Sequence, residues 1–133
     1  MSLQVLIIDD DPAFVMMHKR RVTTSSIATS PQAYFNGKAA FEAISNPPNT
    51  DDHYLLLLDI NMPVMDGWGL LNAIQQMPNA NKIYAVMISS SLDKKDREKA
   101  WEYPQVIGFY EKAISIDICN EIKQNPVIAH FYA

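Results

Sequence analysis

The chain has 133 residues, 48% apolar and 20% charged, which fits one compact domain (1–133) and excludes two ordinary domains or a disordered tail. A net charge of −4 leaves no basic surplus to neutralise phosphates, so direct nucleic-acid binding is not expected. The lone Cys119 forbids an internal disulfide, no signal peptide is visible and the apolar runs are too short to cross a bilayer; together these point to a reducing cytoplasm and no membrane association.

Val5-Leu6-Ile7-Ile8 is apolar on both faces and predicts a fully buried first strand. Asp11-Pro12 supplies an N-cap and a first-turn proline for a helix running to about Val22. Ala33-Tyr34-Phe35 is a short second strand closed by the turn pair Asn36-Gly37, and Ala40, Phe41 and Ile44 give the next helical stripe. The segment Asn46 to His53, rich in Pro, Asn and Asp, is a loop. Tyr54 to Leu58 is the third strand, and after Asp66-Gly67 the residues Leu70, Ile74 and Met77 mark a helix face. Ile83 to Ile88 and Val106 to Tyr110 are the fourth and fifth strands, separated by a charged, exposed helix from Asp93 to Glu102. Ser115 caps a last helix whose inner face carries Ile118 and Ile122. Five strand–helix alternations predict an α/β doubly wound fold: a parallel sheet with helices on both faces and right-handed crossovers.

In such sheets the chemistry collects beyond the carboxyl ends of the strands. Here the first strand ends in Asp9-Asp10, the third in Asp59 and the fourth in Ser89, while Lys112 follows the fifth. In the flavodoxin-like order 2-1-3-4-5, strands one and three are neighbours and their three carboxylates share one small site. Three close carboxylates repel, and a hard cation such as Mg²⁺ relieves the repulsion. A cation, a lysine and a hydroxyl together can neutralise the oxygens of a phosphoryl group in transfer, and a carboxylate can be the nucleophile. Each residue alone has a plainer explanation: a helix cap, a turn former, loop serines, a solvated lysine. Their joint placement at four strand ends is what favours phosphoryl chemistry.

The segment Asp59-Ile60-Asn61-Met62-Pro63-Val64-Met65-Asp66-Gly67-Trp68 resembles the phosphorylation loop of two-component response regulators, and Asp9-Asp10, Ser89 and Lys112 fall where that family places its acidic pair, hydroxyl and lysine. The resemblance runs from Val5 to the last helix. It implies that Asp59 is the phosphoacceptor and that Asp10 and Asp59 bind Mg²⁺ through their side chains. By the same resemblance Asp9 acts through a metal-bound water and Asn61 through its backbone carbonyl. Ser89 would hydrogen-bond the phosphoryl group, Lys112 would pair with it, and Phe109 is the aromatic switch. The implied donor is a histidine kinase or a histidine phosphotransfer protein. The output is an unknown downstream protein, met through a face made of the charged helix, the fifth strand and the last helix. Two other classes compete: a phosphatase working through an aspartyl phosphate, for which Asn61 stands where a general acid is needed, and a constitutive interaction module, for which an acidic or lysine position should be lost.

The chain departs from the family at Ala113, where a cis proline usually follows the lysine. A non-proline cis bond costs roughly 2.5–4 kcal/mol, so Lys112–Ala113 is expected to be trans. The switch position is Phe, without a hydroxyl, and the hydroxyl position is Ser. His18, His53 and His130 lack metal-ligand spacing and read as surface residues; Cys119, Met16, Met17 and Met77 read as packing; and Trp101, Tyr103 and Tyr110 read as core.

Overall fold

Period-two alternation along each strand sends successive side chains to opposite faces, and here both faces are apolar. The computed structural model describes residues 2–45, 51–91 and 93–133. The strands are β1 (Leu3–Ile8), β2 (Gln32–Tyr34), β3 (His53–Leu58), β4 (Ile83–Ser89) and β5 (Val106–Glu111). The helices are α1 (Pro12–Thr24), α2 (Gly37–Ser45), α3 (Gly67–Gln75), α4 (Lys94–Ala100) and α5 (Ile116–Lys123). All strands are parallel, in the expected order β2-β1-β3-β4-β5. Of the loop expected from Asn46 to His53, residues 46–50 lie outside the described residues, and His53 itself opens β3.

Leu6, Ile8, Leu56, Leu58 and Met87 face one way and pack with Ala40 and Ile44 of α2, Leu70, Leu71 and Ile74 of α3, and Ala100 of α4. Val5, Ile7, Leu55, Leu57, Val86 and Ile88 face the other way, against Val15 and Val22 of α1 and Cys119 and Ile122 of α5. Each fully buried Leu or Ile contributes about 1.5–3 kcal/mol of transfer free energy, so the sheet is anchored most firmly along β3, where Leu55 to Leu58 are all buried. Among the described residues no helix is long and apolar enough to cross a membrane.

Some local expectations change. Asn36 is not part of a turn closing β2: its side chain accepts from the Ala39 N–H (2.8 Å), and Gly37 opens α2. His18 is not a surface residue but 1% exposed, because it shares the buried stripe of α1 with Val15 and Val22 at helical spacing. Met16 and Met17 fall off that stripe and are solvent-facing, Met16 at 70% exposure. Trp101, the C-cap of α4, is also exposed, at 53%, and not core. Tyr103 stacks on Trp68 (5.9 Å) and donates to Asn72 Oδ1 (2.9 Å). A short turn of 3-10 helix, Ala129–Tyr132, closes the chain: Phe131 packs against His53 (5.1 Å) and the Tyr132 hydroxyl donates to the Ile27 carbonyl (2.9 Å).

Candidate functional site

Register makes the site. Ile8 is level with Leu58 in the β1–β3 pair, so Asp9 and Asp59 leave the sheet side by side. The Asp59 N–H donates to the Ile8 carbonyl (3.0 Å) and the Asp9 N–H to the Tyr34 carbonyl (3.1 Å), which extends the pairing past the strand ends and holds both residues in place. Asp9, Asp10 and Asp59 each offer a carboxylate oxygen within 4.8 Å of the others. Ser89 lies level with Glu111 in the β4–β5 pair, and the Lys112 N–H donates to the Ser89 carbonyl (2.9 Å), which starts Lys112 toward the same end of the sheet.

Lys112 closes the cluster. Its Nζ is 2.8 Å from Asp9 Oδ2 and 3.4 Å from Asp59 Oδ2, and it sits 4.2 Å from the centre of the Phe14 ring. The other Asp59 oxygen, Oδ1, accepts from the Ile60 N–H (2.9 Å). Burial pushes the Asp59 carboxyl above its usual range, and the Asp9 charge adds to this; Lys112 and the Ile60 N–H work the other way without cancelling it. Burial also works against the Lys112 ammonium, but its hydrogen bond to Asp9 and the charge of Asp59 outweigh this and hold its pKa up. Three carboxylates thus meet one ammonium, and the site keeps a surplus of negative charge.

The loops around the cluster are shaped for it. Asp9 Oδ1 accepts from the Asp11 N–H (2.9 Å), and Asp11 caps α1 through the Ala13 N–H (2.9 Å), so the chain turns sharply from strand to helix. Beyond Asp59, Val64 has φ 70°, rare for a β-branched residue, in a loop closed by the Gly67 N–H donating to the Ile60 carbonyl (2.8 Å). A Cβ on Gly67 would stand 2.5 Å from the Asp59 carbonyl oxygen. Gly67→Ala is therefore expected to destabilise the fold by about 1–3 kcal/mol through overpacking and to shift the Asp59 backbone. Chemical denaturation and the amide shifts of Asp59 and Ile60 check this; wild-type stability with unmoved shifts would contradict it.

Asp10, Phe14, Asp59, Asn61, Ser90 and Lys112 line an open cleft at this end of the sheet. Ser89 is fully buried, and its Oγ accepts from the Ser91 N–H (3.0 Å); the serine on the cleft wall is Ser90, which the sequence did not single out. Phe109 is half-buried, with the Arg97 guanidinium 5.3 Å from its ring centre. The Lys112–Ala113 peptide is cis, not trans as expected. The segment is held on both sides: before the bond by the Lys112 contacts to Ser89 and Asp9, after it by Ile114, whose N–H donates to His18 Nε2 (3.3 Å) and whose carbonyl accepts from Arg21 (2.6 Å).

Residues 5–124 match the family model described as the response regulator receiver domain. The chain belongs to that family. This receiver domain is 27% identical over 93 residues to a probable chemotaxis protein CheY of Rhizobium etli, spanning 70% of this chain and 68% of that one. It is 31% identical over 96 residues to the transcriptional regulatory protein PrrA of Mycobacterium tuberculosis, a longer protein of which the match covers 38%. The two-component response regulator of Cytophaga hutchinsonii superposes with a TM-score of 0.77 at 27% identity, over 96% of this chain and 98% of that one. Receiver domains are signalling modules and not enzymes in the ordinary sense. In this chain the fold itself assembles the cluster: strands one and three, adjacent in the sheet, deliver the acids, and the loop after strand five delivers the lysine.

Proposed function

We propose that this receiver domain is a phosphoacceptor switch in which Asp59 takes a phosphoryl group from a phosphohistidine on a histidine kinase or histidine phosphotransfer protein. The observation that carries this is Asp59 lining a cleft, beside Asp9 and Asp10 and within reach of Lys112. In the transfer an Asp59 carboxylate oxygen bonds to phosphorus as the P–N bond breaks. The electron pair of the broken bond stays on the imidazole nitrogen, and because the phosphohistidine ring carries a proton on its other nitrogen, the imidazole departs neutral. Lys112, already turned to Asp59, balances charge on the phosphoryl oxygens, and the Ile60 N–H keeps the carboxylate oriented.

The donor set fits Mg²⁺: oxygen ligands only, a surplus of negative charge, and an exposed Asp10 beside buried Asp9 and Asp59. Asp10 and Asp59 would hold the ion through their side chains, with Asn61 contributing its carbonyl and Asp9 acting through water. When bound, it would supply the positive charge that lets a phosphoryl group approach the carboxylates. Ser89 and Ser90 are the hydroxyls available near the phosphoryl group. Drawing the Ser89 backbone toward it would shift the loop into α4 and give Phe109 room to turn, so that the α4–β5–α5 face changes for a downstream protein. Cytoplasmic location goes with this reading.

The test is uptake of phosphate from a small acyl-phosphate donor, read by intact mass. One phosphate per chain is expected with Mg²⁺ and none after chelation. Asp10→Ala should lower Mg²⁺ affinity by at least tenfold in a titration and slow uptake accordingly. Metal-independent uptake, or unchanged Mg²⁺ binding in Asp10→Ala, would refute the proposal.

A further inference from the structure

Helix α1 does more than cover the sheet. Phe14, His18 and Arg21 lie along one side of it, at spacings of four and three residues, and share one face. That face meets the segment that carries Lys112 into the site. His18 Nε2 accepts the Ile114 N–H (3.3 Å), and the Arg21 guanidinium donates to the Ile114 carbonyl (2.6 Å). Both backbone groups of one residue are therefore held by side chains of one helix. Phe14 sits against the His18 ring (6.0 Å between centres) and under the Lys112 ammonium (4.2 Å). Ile114 is fully buried between α1 and α5, so its backbone groups have no water to turn to.

We infer that His18 and Arg21 are positioning residues for Lys112: by gripping Ile114 on both sides they fix the segment Lys112–Ala113–Ile114 and so set where the ammonium stands relative to Asp59. For Nε2 to accept, the imidazole must be neutral with its proton on Nδ1, and burial in this apolar layer keeps it neutral. Neither residue makes a hydrogen bond or ion pair to the carboxylates, and beyond the charge of Asp9 felt by the His18 ring their hold on the site is the grip on the segment that carries the lysine. The inference rests on the phosphoacceptor reading for its rate effects and on geometry alone for its structural ones.

Two measurements test it. In the first, phosphate uptake from a small acyl phosphate at saturating Mg²⁺ is compared for the unsubstituted chain, His18→Leu, Lys112→Ala and the double variant. His18→Leu is expected to slow uptake roughly tenfold by misplacing the ammonium, to leave Mg²⁺ affinity within about twofold, and to add nothing once Lys112 is absent. His18→Gln, whose side-chain oxygen accepts a hydrogen bond, should recover most of the loss. Equal slowing with and without Lys112, or no slowing in a folded His18→Leu, would overturn the inference. If His18→Leu does not fold, the half-exposed Arg21 replaced by Met carries the same comparison, with Arg21→Lys as the conservative variant. The second measurement needs no phosphate. In ¹⁵N-resolved spectra, His18→Leu and Arg21→Met should speed hydrogen exchange at the Ile114 amide and shift the Lys112 ammonium signal, and His18→Gln should largely restore both; unchanged exchange and signal in His18→Leu and Arg21→Met would overturn the inference. If the unsubstituted chain takes up no phosphate, the phosphoacceptor reading fails, and the spectra alone decide the role of His18 and Arg21.

Discussion

Replacing Lys112 with Ala is expected to slow phosphate uptake by about 10²–10³-fold while leaving Mg²⁺ binding no weaker. The rate loss follows from removing a fixed positive charge aimed at Asp59, an effect of that order for a single preorganised group. The binding result has the opposite sign because the Lys112 ammonium, paired with Asp9 and Asp59, holds the same carboxylates that a cation would use. Without it, Asp9 and Asp59 face each other uncompensated, and the Asp59 carboxyl should move still higher. Stopped-flow uptake kinetics and a Mg²⁺ titration on the same variant check both halves. A rate within threefold of the unsubstituted chain, or a clear loss of Mg²⁺ affinity, would contradict the role given to Lys112.

The second large effect is on stability against pH. His18 is held near a pKa of about 4, first by burial; Asp9 pulls it up, while Lys112 and Arg21 push it further down. An unfolded chain titrates this side chain near 6.5. The folded state therefore binds fewer protons, and stability is lost as pH falls from about 6.5 through about 4. Below both values the loss attributable to this one group is on the order of 3 kcal/mol. Carboxylates also titrate in this range, so the informative quantity is the difference between the chain and its His18→Gln variant. Denaturant unfolding at pH 7 and pH 4.5 should show the unsubstituted chain losing about 2 kcal/mol more than the variant. Parallel losses would show that His18 is not buried as a neutral acceptor.

The strands were legible because their apolar runs are bounded by charge or turn residues; Leu55 to Leu58 between His53 and Asp59 leaves little choice. The acidic cluster was legible for the same reason, since strand ends are visible in sequence and a doubly wound sheet brings them together. What depends on a side chain's surroundings was not. The short α1 stripe of Val15, His18 and Val22 gave a spacing signal, but the imidazole's hydrogen-bond partner, Ile114, lies 96 residues away. Spacing alone cannot say that a polar residue on an apolar stripe has found such a partner. The cis Lys112–Ala113 bond was not expected because the preference for trans is all that the local sequence offers, while the flanking residues' contacts, to Asp9, Arg21 and Ser89, lie far away in the chain. Ser89 and Ser90 are adjacent and chemically identical in sequence, and only the fold separates the buried one from the one on the cleft wall.

Location of the phosphoryl group is the most direct test of the central claim. The chain is treated with a small acyl phosphate and Mg²⁺, trapped with borohydride and mapped by peptide mass spectrometry; an aspartyl phosphate is reduced to homoserine. Homoserine at position 59, and nowhere else, is the predicted result, with none formed in Asp59→Asn. Modification of Asp9 or Asp10, phosphate on Ser89 or Ser90, or full labelling of Asp59→Asn would contradict it.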